Sequence, residues 1–240
     1  MFHPQGPTFF ELAQQALSST ARGYDLLAPK FDYTPFRTPQ PVLDAVAEHL
    51  AREAPFGAGL DLCCGTGAGV ALLRPLCGER VVGIDFSRGM LAVCHERTAD
   101  APGSAALQLV HGDVLALPFG AEFDVATCFG ALGHVLPRDQ RRFVGAVARV
   151  LRPGGRFVLV TSEWPSVWSR GYWLARLFNG AMHLRNWLLP PPFVMFYLTF
   201  LLPEAGALLR RAGLAVEVRD LGLAGELAPF RLVIGRLPAG

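Results

Sequence analysis

The chain has 240 residues, with 22 Lys and Arg against 20 Asp and Glu and a formal net charge of +2 at pH 7. That balance provides no basic field for nucleic acid, and the length suits one domain with a sizeable buried core. Five scattered cysteines, an odd number, do not form a disulfide framework and fit a reducing compartment.

The opening MFHPQGPTFFELAQQAL lacks the basic start and apolar core of a signal peptide. The most apolar stretch, WLLPPPFVMFYLTFLLP, is shorter than a membrane span and is broken by Pro190, Pro191 and Pro192. A soluble, cytoplasmic protein is expected.

Residues 1–50 read as a helical, partly aromatic N-terminal lid. Residues 51–162 alternate strand and helix signals. AGLDLCC is a first strand and AGVALLRPLC a helix starting on glycines. RVVGIDFS is a second strand, and SRGMLAVCHERTA is a helix with Ser87 as its N-cap. AALQLVHGDV and FDVATCFGAL are the third and fourth strands. RDQRRFVGAVARVL is an amphipathic helix stopped by Pro153-Gly154-Gly155, and GRFVLVTS is the fifth strand. Residues 163–202 form an apolar insertion, and 203–240 add a helix and further strands. The alternation predicts an α/β fold: a doubly wound, Rossmann-like, mostly parallel sheet with helices on both faces and ligands at the carboxyl ends of the strands. Asp85, Asp113 and Phe129 lie near such ends.

The stretch GLDLCCGTGAGV carries the chemistry. Its glycines are Gly65, Gly67 and Gly69, whereas a dinucleotide fingerprint places its third glycine where Val70 stands. Asp61, just before the turn, would repel a pyrophosphate at the helix start but suits a ligand bearing an ammonium group. Asp85 ends the second strand, where a carboxylate can accept both ribose hydroxyls. Asp113 ends the third, where it could accept from an adenine amine. Phe86, Met90 and Val114 are the apolar residues in place to flank the base.

The ordered motifs DLCCGTGAG, VVGIDFSRGML, HGDVLALPF, FDVATCFGALGHV and LRPGGRFVLV span roughly Leu60 to Val160. Together they resemble class I S-adenosylmethionine-dependent methyltransferases of the small-molecule type. LLRRAGLAVEVRDL resembles them more loosely. The resemblance implies an S-adenosyl-L-methionine cofactor. Asp61 and the Gly65–Gly67 backbone would hold its methionyl end, Asp85 its ribose, and Asp113 and Val114 its adenine. The family's loop has glycine where this chain has Cys63, a position along the methionine moiety.

Methyl transfer requires alignment and exclusion of water rather than a metal or a triad, so no metal site is expected. A base is needed only for a protonated acceptor. His134 is either that base or a packing histidine; Glu163 and Tyr33 are the other options. His111 reads as a neighbour of Asp113 rather than a site residue. Tyr24, Phe31 and Tyr33 form either a lid over the cofactor or a packing stripe. Arg37 either pairs with the methionyl carboxylate or is a surface charge.

All four tryptophans, Trp164, Trp168, Trp173 and Trp187, fall in the insertion. It can cover an apolar acceptor, pack on the N-terminal helices or touch a membrane with Arg170, Arg176 and Arg185; a cap over an acceptor is the expectation. The predicted function is direct in-line methyl transfer to a small apolar or aromatic acceptor at O, N or C. The alternatives are a non-catalytic methyltransferase-like binding module and an NAD-dependent oxidoreductase. No nucleic-acid partner is expected, and the oligomeric state is not legible.

Overall fold

The structure is a computed structural model that describes residues 3–239. Seven strands form one sheet: β1 (Phe56–Leu62), β2 (Cys77–Asp85), β3 (Ala106–His111), β4 (Phe123–Cys128), β5 (Leu151–Ser162), β6 (Ala215–Asp220) and β7 (Phe230–Arg236). Their order is β3-β2-β1-β4-β5-β7-β6. β1 to β5 run parallel, and β7 is antiparallel to both of its neighbours. The expected doubly wound, mostly parallel fold is present.

The helices are α1 (Phe9–Leu17), α2 (Thr20–Leu27), α3 (Gln40–Ala51), α4 (Ala68–Leu73), α5 (Arg88–Thr98), α6 (Gln140–Val150), α7 (Arg170–Leu188) and α8 (Leu202–Arg211). α3, α4 and α5 supply Val46, Leu50, Val70, Leu73 and Cys94 to one apolar layer against the sheet. α6 and α8 supply Phe143, Val147, Ala205 and Leu209 to the other. Both layers are continuous because the central parallel strands β1, β2 and β4 are largely buried on both faces.

Three boundaries differ from the sequence reading. α4 stops at Leu73 and passes through a short turn containing Pro75, so β2 begins at Cys77. Proline cannot donate the next helical hydrogen bond. β3 ends at His111, and Asp113 turns the chain by accepting the Leu115 N–H at 2.9 Å. β5 is continuous from Leu151, and the Pro153-Gly154-Gly155 stretch appears as a register shift: Phe123 pairs with Leu151, Val125 with Arg156.

A third apolar cluster lies apart from the two sheet layers. It joins Tyr24 and Ala28 to Met90, Met182 and Phe193, with Phe31, Phe86, Phe178 and Phe196 around them. The N-terminal helices are fastened to the sheet half by two carboxylates as well. Asp25 accepts from Ser87 Oγ at 2.6 Å and from the Gly89 N–H at 2.8 Å, at the start of α5. Asp32 accepts from Thr66 Oγ1 at 2.6 Å and pairs with Arg97. Asp25 therefore satisfies a helix-terminal donor from a different segment, adding its charge to the positive end of α5. Asp25→Ala is expected to cost about 1 kcal/mol. Amide exchange should accelerate first in α2 and the first turn of α5, ahead of the sheet; uniform acceleration across the protein would contradict this clasp.

Candidate active site

A cavity of about 360 Å³ opens at the carboxyl ends of β1, β2, β4 and β5 and the facing end of antiparallel β7. Asp61, Cys63, Gly65, Asp85, Phe86, Met90, Phe129 and His134 all line it, as do Tyr24, Phe31 and Arg37.

Asp61 sits near the end of β1 and is buried. Its carboxylate accepts from Thr127 Oγ1 at 2.7 Å and from the backbone N–H of Val70. Burial pushes it up to about 7, aided by the nearby charge of Asp85 and opposed by the Thr127 bond. The third glycine of the loop exists for this carboxylate: a Cβ on Gly69 would lie 2.3 Å from Asp61 Oδ1.

Asp85, at the end of β2, accepts the Gly65 N–H at 2.9 Å and the Ser87 N–H at 2.8 Å. Burial raises its carboxyl above the usual range, and these N–H groups hold it down. Each carboxylate oxygen keeps further acceptor capacity for a ligand.

Cys63 occupies left-handed backbone at φ 53°, a conformation that favours glycine. The Cys128 thiol and burial both push its own thiol well up, so it stays protonated. Cys64 is held likewise by the Cys94 thiol and burial. Both are protonated packing groups rather than reactive thiolates.

His134 follows β4. Its Nδ1 faces the Val194 carbonyl, which can only accept, so Nδ1 carries the proton. Nε2 then accepts the Tyr24 hydroxyl at 2.8 Å. Burial holds the imidazole below its ordinary value and keeps it neutral, and burial raises Tyr24. The Tyr24 ring also stacks on Phe193 and meets Phe86 edge-on. Arg37 bonds Gln40, while its buried Nε has no partner among the described residues.

The structure relocates several sequence-chosen residues. Gly67 does not line the cavity; its φ of 95° starts α4, and a Cβ there would strike Thr98 and Cys94 of α5. Asp113 is exposed and serves its own turn, and Val114 packs in a sheet layer; neither lines the cavity. His111 bonds the Phe86 carbonyl. Glu163 is exposed, and Tyr33 stacks on His3 at the surface. The four tryptophans are exposed, while Met195, Phe196 and Tyr197 form the wall expected of the insertion. Arg185 donates to the carbonyls of Ala16, Ser18, Leu189 and Pro191, so it ties the lid to α7. Thr127 was not singled out by sequence; a threonine one strand away carries no local signal of its partner.

Residues 60–155 match the family described as "Methyltransferase domain". The demethylmenaquinone methyltransferase of Shouchella clausii is 38% identical over 111 residues, 45% of this chain and 46% of that protein. The protein of the same name from Staphylococcus aureus is 39% identical over 111 residues, 45% of this chain and 44% of that one. The chain thus matches less than half the length of these relatives. Among solved structures, an O-methyltransferase family protein from Burkholderia thailandensis superposes with a TM-score of 0.69 at 20% identity, over 99% of this chain and 66% of that one. A DhpI–SAH complex superposes with a TM-score of 0.67 at 18% identity, over 97% of this chain and 100% of that one. The likeness to class I methyltransferases therefore holds in sequence over 60–155 and in fold over nearly the whole chain.

The contact between Gly69 and Asp61 is testable by coupling. Gly69→Ala alone should cost about 1–3 kcal/mol through overpacking. In an Asp61→Ala background the methyl has room, and the penalty should fall by about half or more. Additive losses in denaturant titrations would refute the contact.

Proposed function

We propose, from the premise that residues 60–155 form a class I methyltransferase domain, that this chain transfers a methyl group from S-adenosylmethionine to a small apolar or aromatic acceptor at O, N or C. The observation that carries the reading is the charge layout of one cavity. Two buried carboxylates, Asp61 and Asp85, line the cavity at the strand ends, and Arg37, whose buried Nε has no partner among the described residues, lines it from the N-terminal side. A ligand with an ammonium, a ribose and a carboxylate matches those three groups: Asp61 for the ammonium, Asp85 for the ribose hydroxyls, Arg37 for the carboxylate. Gly69 gives its space to Asp61, so the loop suits that ligand better than a pyrophosphate and disfavours the oxidoreductase reading.

When bound, the cofactor supplies a methyl group on a positively charged sulfur, already activated for displacement. The protein's task is to position the acceptor and exclude water. Phe31, Phe86, Met195 and Phe196 give the cavity apolar walls. For an acceptor that starts protonated, Tyr24 is the group in place to receive the proton. Its hydroxyl oxygen accepts from the acceptor while its own proton passes to His134 Nε2, which is neutral and unprotonated. The curated relatives named for demethylmenaquinone support an apolar, quinone-like acceptor, although their matched stretch covers only about half of each protein.

Two measurements test the reading. Below pH 7 the empty site holds Asp61 protonated, and an ammonium ligand must displace that proton. Affinity for S-adenosylmethionine, read by calorimetry, should climb as pH rises from about 5.5 to 7.5, approaching tenfold per unit on the acid side. Asp61→Asn should flatten that profile and weaken binding about tenfold or more at pH 7.5. A wild-type profile independent of pH would remove Asp61 from the ammonium role.

Tyr24→Phe keeps the ring and deletes the hydroxyl. It should lower kcat on a hydroxyl acceptor by about 10²-fold while leaving cofactor affinity near wild type, with a stability loss of about 1–3 kcal/mol from the unpaired His134 Nε2, so kcat is read well below the melting temperature. An unchanged kcat on such an acceptor would rule out the relay.

A further inference from the structure

α7 presents apolar residues on both of its sides. Met182 is buried against the lid cluster, with Phe178 beside it. Asn179 brackets Tyr197 of the cavity wall, donating to its carbonyl and accepting its N–H, both at 2.8 Å. The opposite side carries Trp173, Leu174, Leu177, Leu184, Trp187 and Leu188, all exposed. Their spacing places them on one helical stripe, roughly across from Met182. Trp168, 92% exposed, extends the stripe past the N-terminus of the helix and forms a shallow hollow with Trp173, Leu174 and Leu177. A surface helix normally turns its polar side to water. Here the water-facing side is the greasier one, a patch of the kind that marks an interaction site.

Charge identifies the occupant. Residues 170–188 contain no Asp or Glu. Arg170 and Arg176 are exposed and make no ion pair among the described residues. No helix among the described residues is long and apolar enough to cross a membrane. We infer that the outer face of α7 docks on an anionic lipid surface. The tryptophans sit at headgroup depth, the leucines reach the acyl boundary, and Arg170 and Arg176 meet anionic headgroups. Pairing two copies through this face would oppose arginines with no carboxylate between them, which favours lipid over self-association. The docking does not rest on methyl transfer. Taken with that reading, it sets the cavity wall held by Asn179 beside the layer in which an apolar acceptor dissolves.

All four tryptophans lie within 164–187, so tryptophan-selective fluorescence reports on this segment alone. The full chain is mixed with vesicles of phosphatidylcholine, with and without phosphatidylglycerol. Expected are a blue shift and co-sedimentation with the anionic vesicles, both weakened by salt. Arg170→Glu with Arg176→Glu, and separately Trp173→Ser with Leu177→Ser, should each reduce partition about tenfold or more. These side chains are exposed, so melting temperatures should stay near wild type. Val218→Ser, an exposed apolar site on β6, should leave partition unchanged. Absence of both shift and co-sedimentation with anionic vesicles overturns the inference. So does a dimer in sedimentation velocity that Trp173→Ser with Leu177→Ser dissolves while vesicles have no effect.

Discussion

The buried carboxylate of Asp61 is the constraint around which the loop is built. A carboxylate out of water must be held by donors or neutralised, and here it is partly both: Thr127 and the Val70 N–H hold it, and its pKa is still raised to about 7. Its position requires a bare Gly69 opposite, and the donor on β4 ties the β1 turn to the next strand. The arrangement works against the stability of the empty fold. A carboxyl whose folded pKa is raised above its unfolded value contributes stability at low pH that is lost as pH rises through about 7. The site therefore carries its greatest electrostatic strain in the pH range where a cationic ligand would relieve it.

The N-terminal helices are held to α5 and the glycine loop by polar clasps and to the cavity wall by aromatic packing. Asp25 and Asp32 reach α5 and the glycine loop, while Tyr24 stacks on Phe193 and bonds His134. Thr20 joins the same seam, accepting the Val194 N–H at 2.8 Å. The wall segment bends sharply: Leu198 and Phe200 both adopt left-handed backbone at φ 55° and 58°. Phe200 is nevertheless fully buried, and its carbonyl accepts from Thr161 Oγ1 at 2.8 Å at the end of β5. Such strain persists because the packing around it permits no other path. Lid, wall and sheet thus meet at one aromatic cluster above the strand ends.

The succession of strands along the chain, the mostly parallel sheet and the glycine turn were legible in the sequence. Each depends on local pattern: short apolar runs, glycines at a strand end, helices with a single apolar stripe. The strand-end placement of Asp61 and Asp85 was legible for the same reason, since a strand-end position is itself a local property. Asp113 and Gly67 had equally suggestive positions but different partners. One accepts from its own turn and the other makes room for α5.

The contacts made across long stretches of chain were decided only by the tertiary structure. The sequence concentrates the tryptophans in one segment, and that concentration invited the reading of a cap over the acceptor. Folding instead turns Met195, Phe196 and Tyr197 inward and leaves all four tryptophans outside. A helix with apolar residues on every side has no pattern to say which side is buried. Arg185 was likewise indistinguishable from Arg170 and Arg176 until the carbonyls of Ala16 and Ser18 arrived beside it. The Tyr24–His134 pair spans 110 residues, and its proton direction follows from a third residue, Val194, another 60 away. The local run of the chain determined which chemistry was present at the strand ends. Three-dimensional packing determined which side chains share a cavity, because proximity across the fold leaves no trace in the spacing of neighbours along the chain.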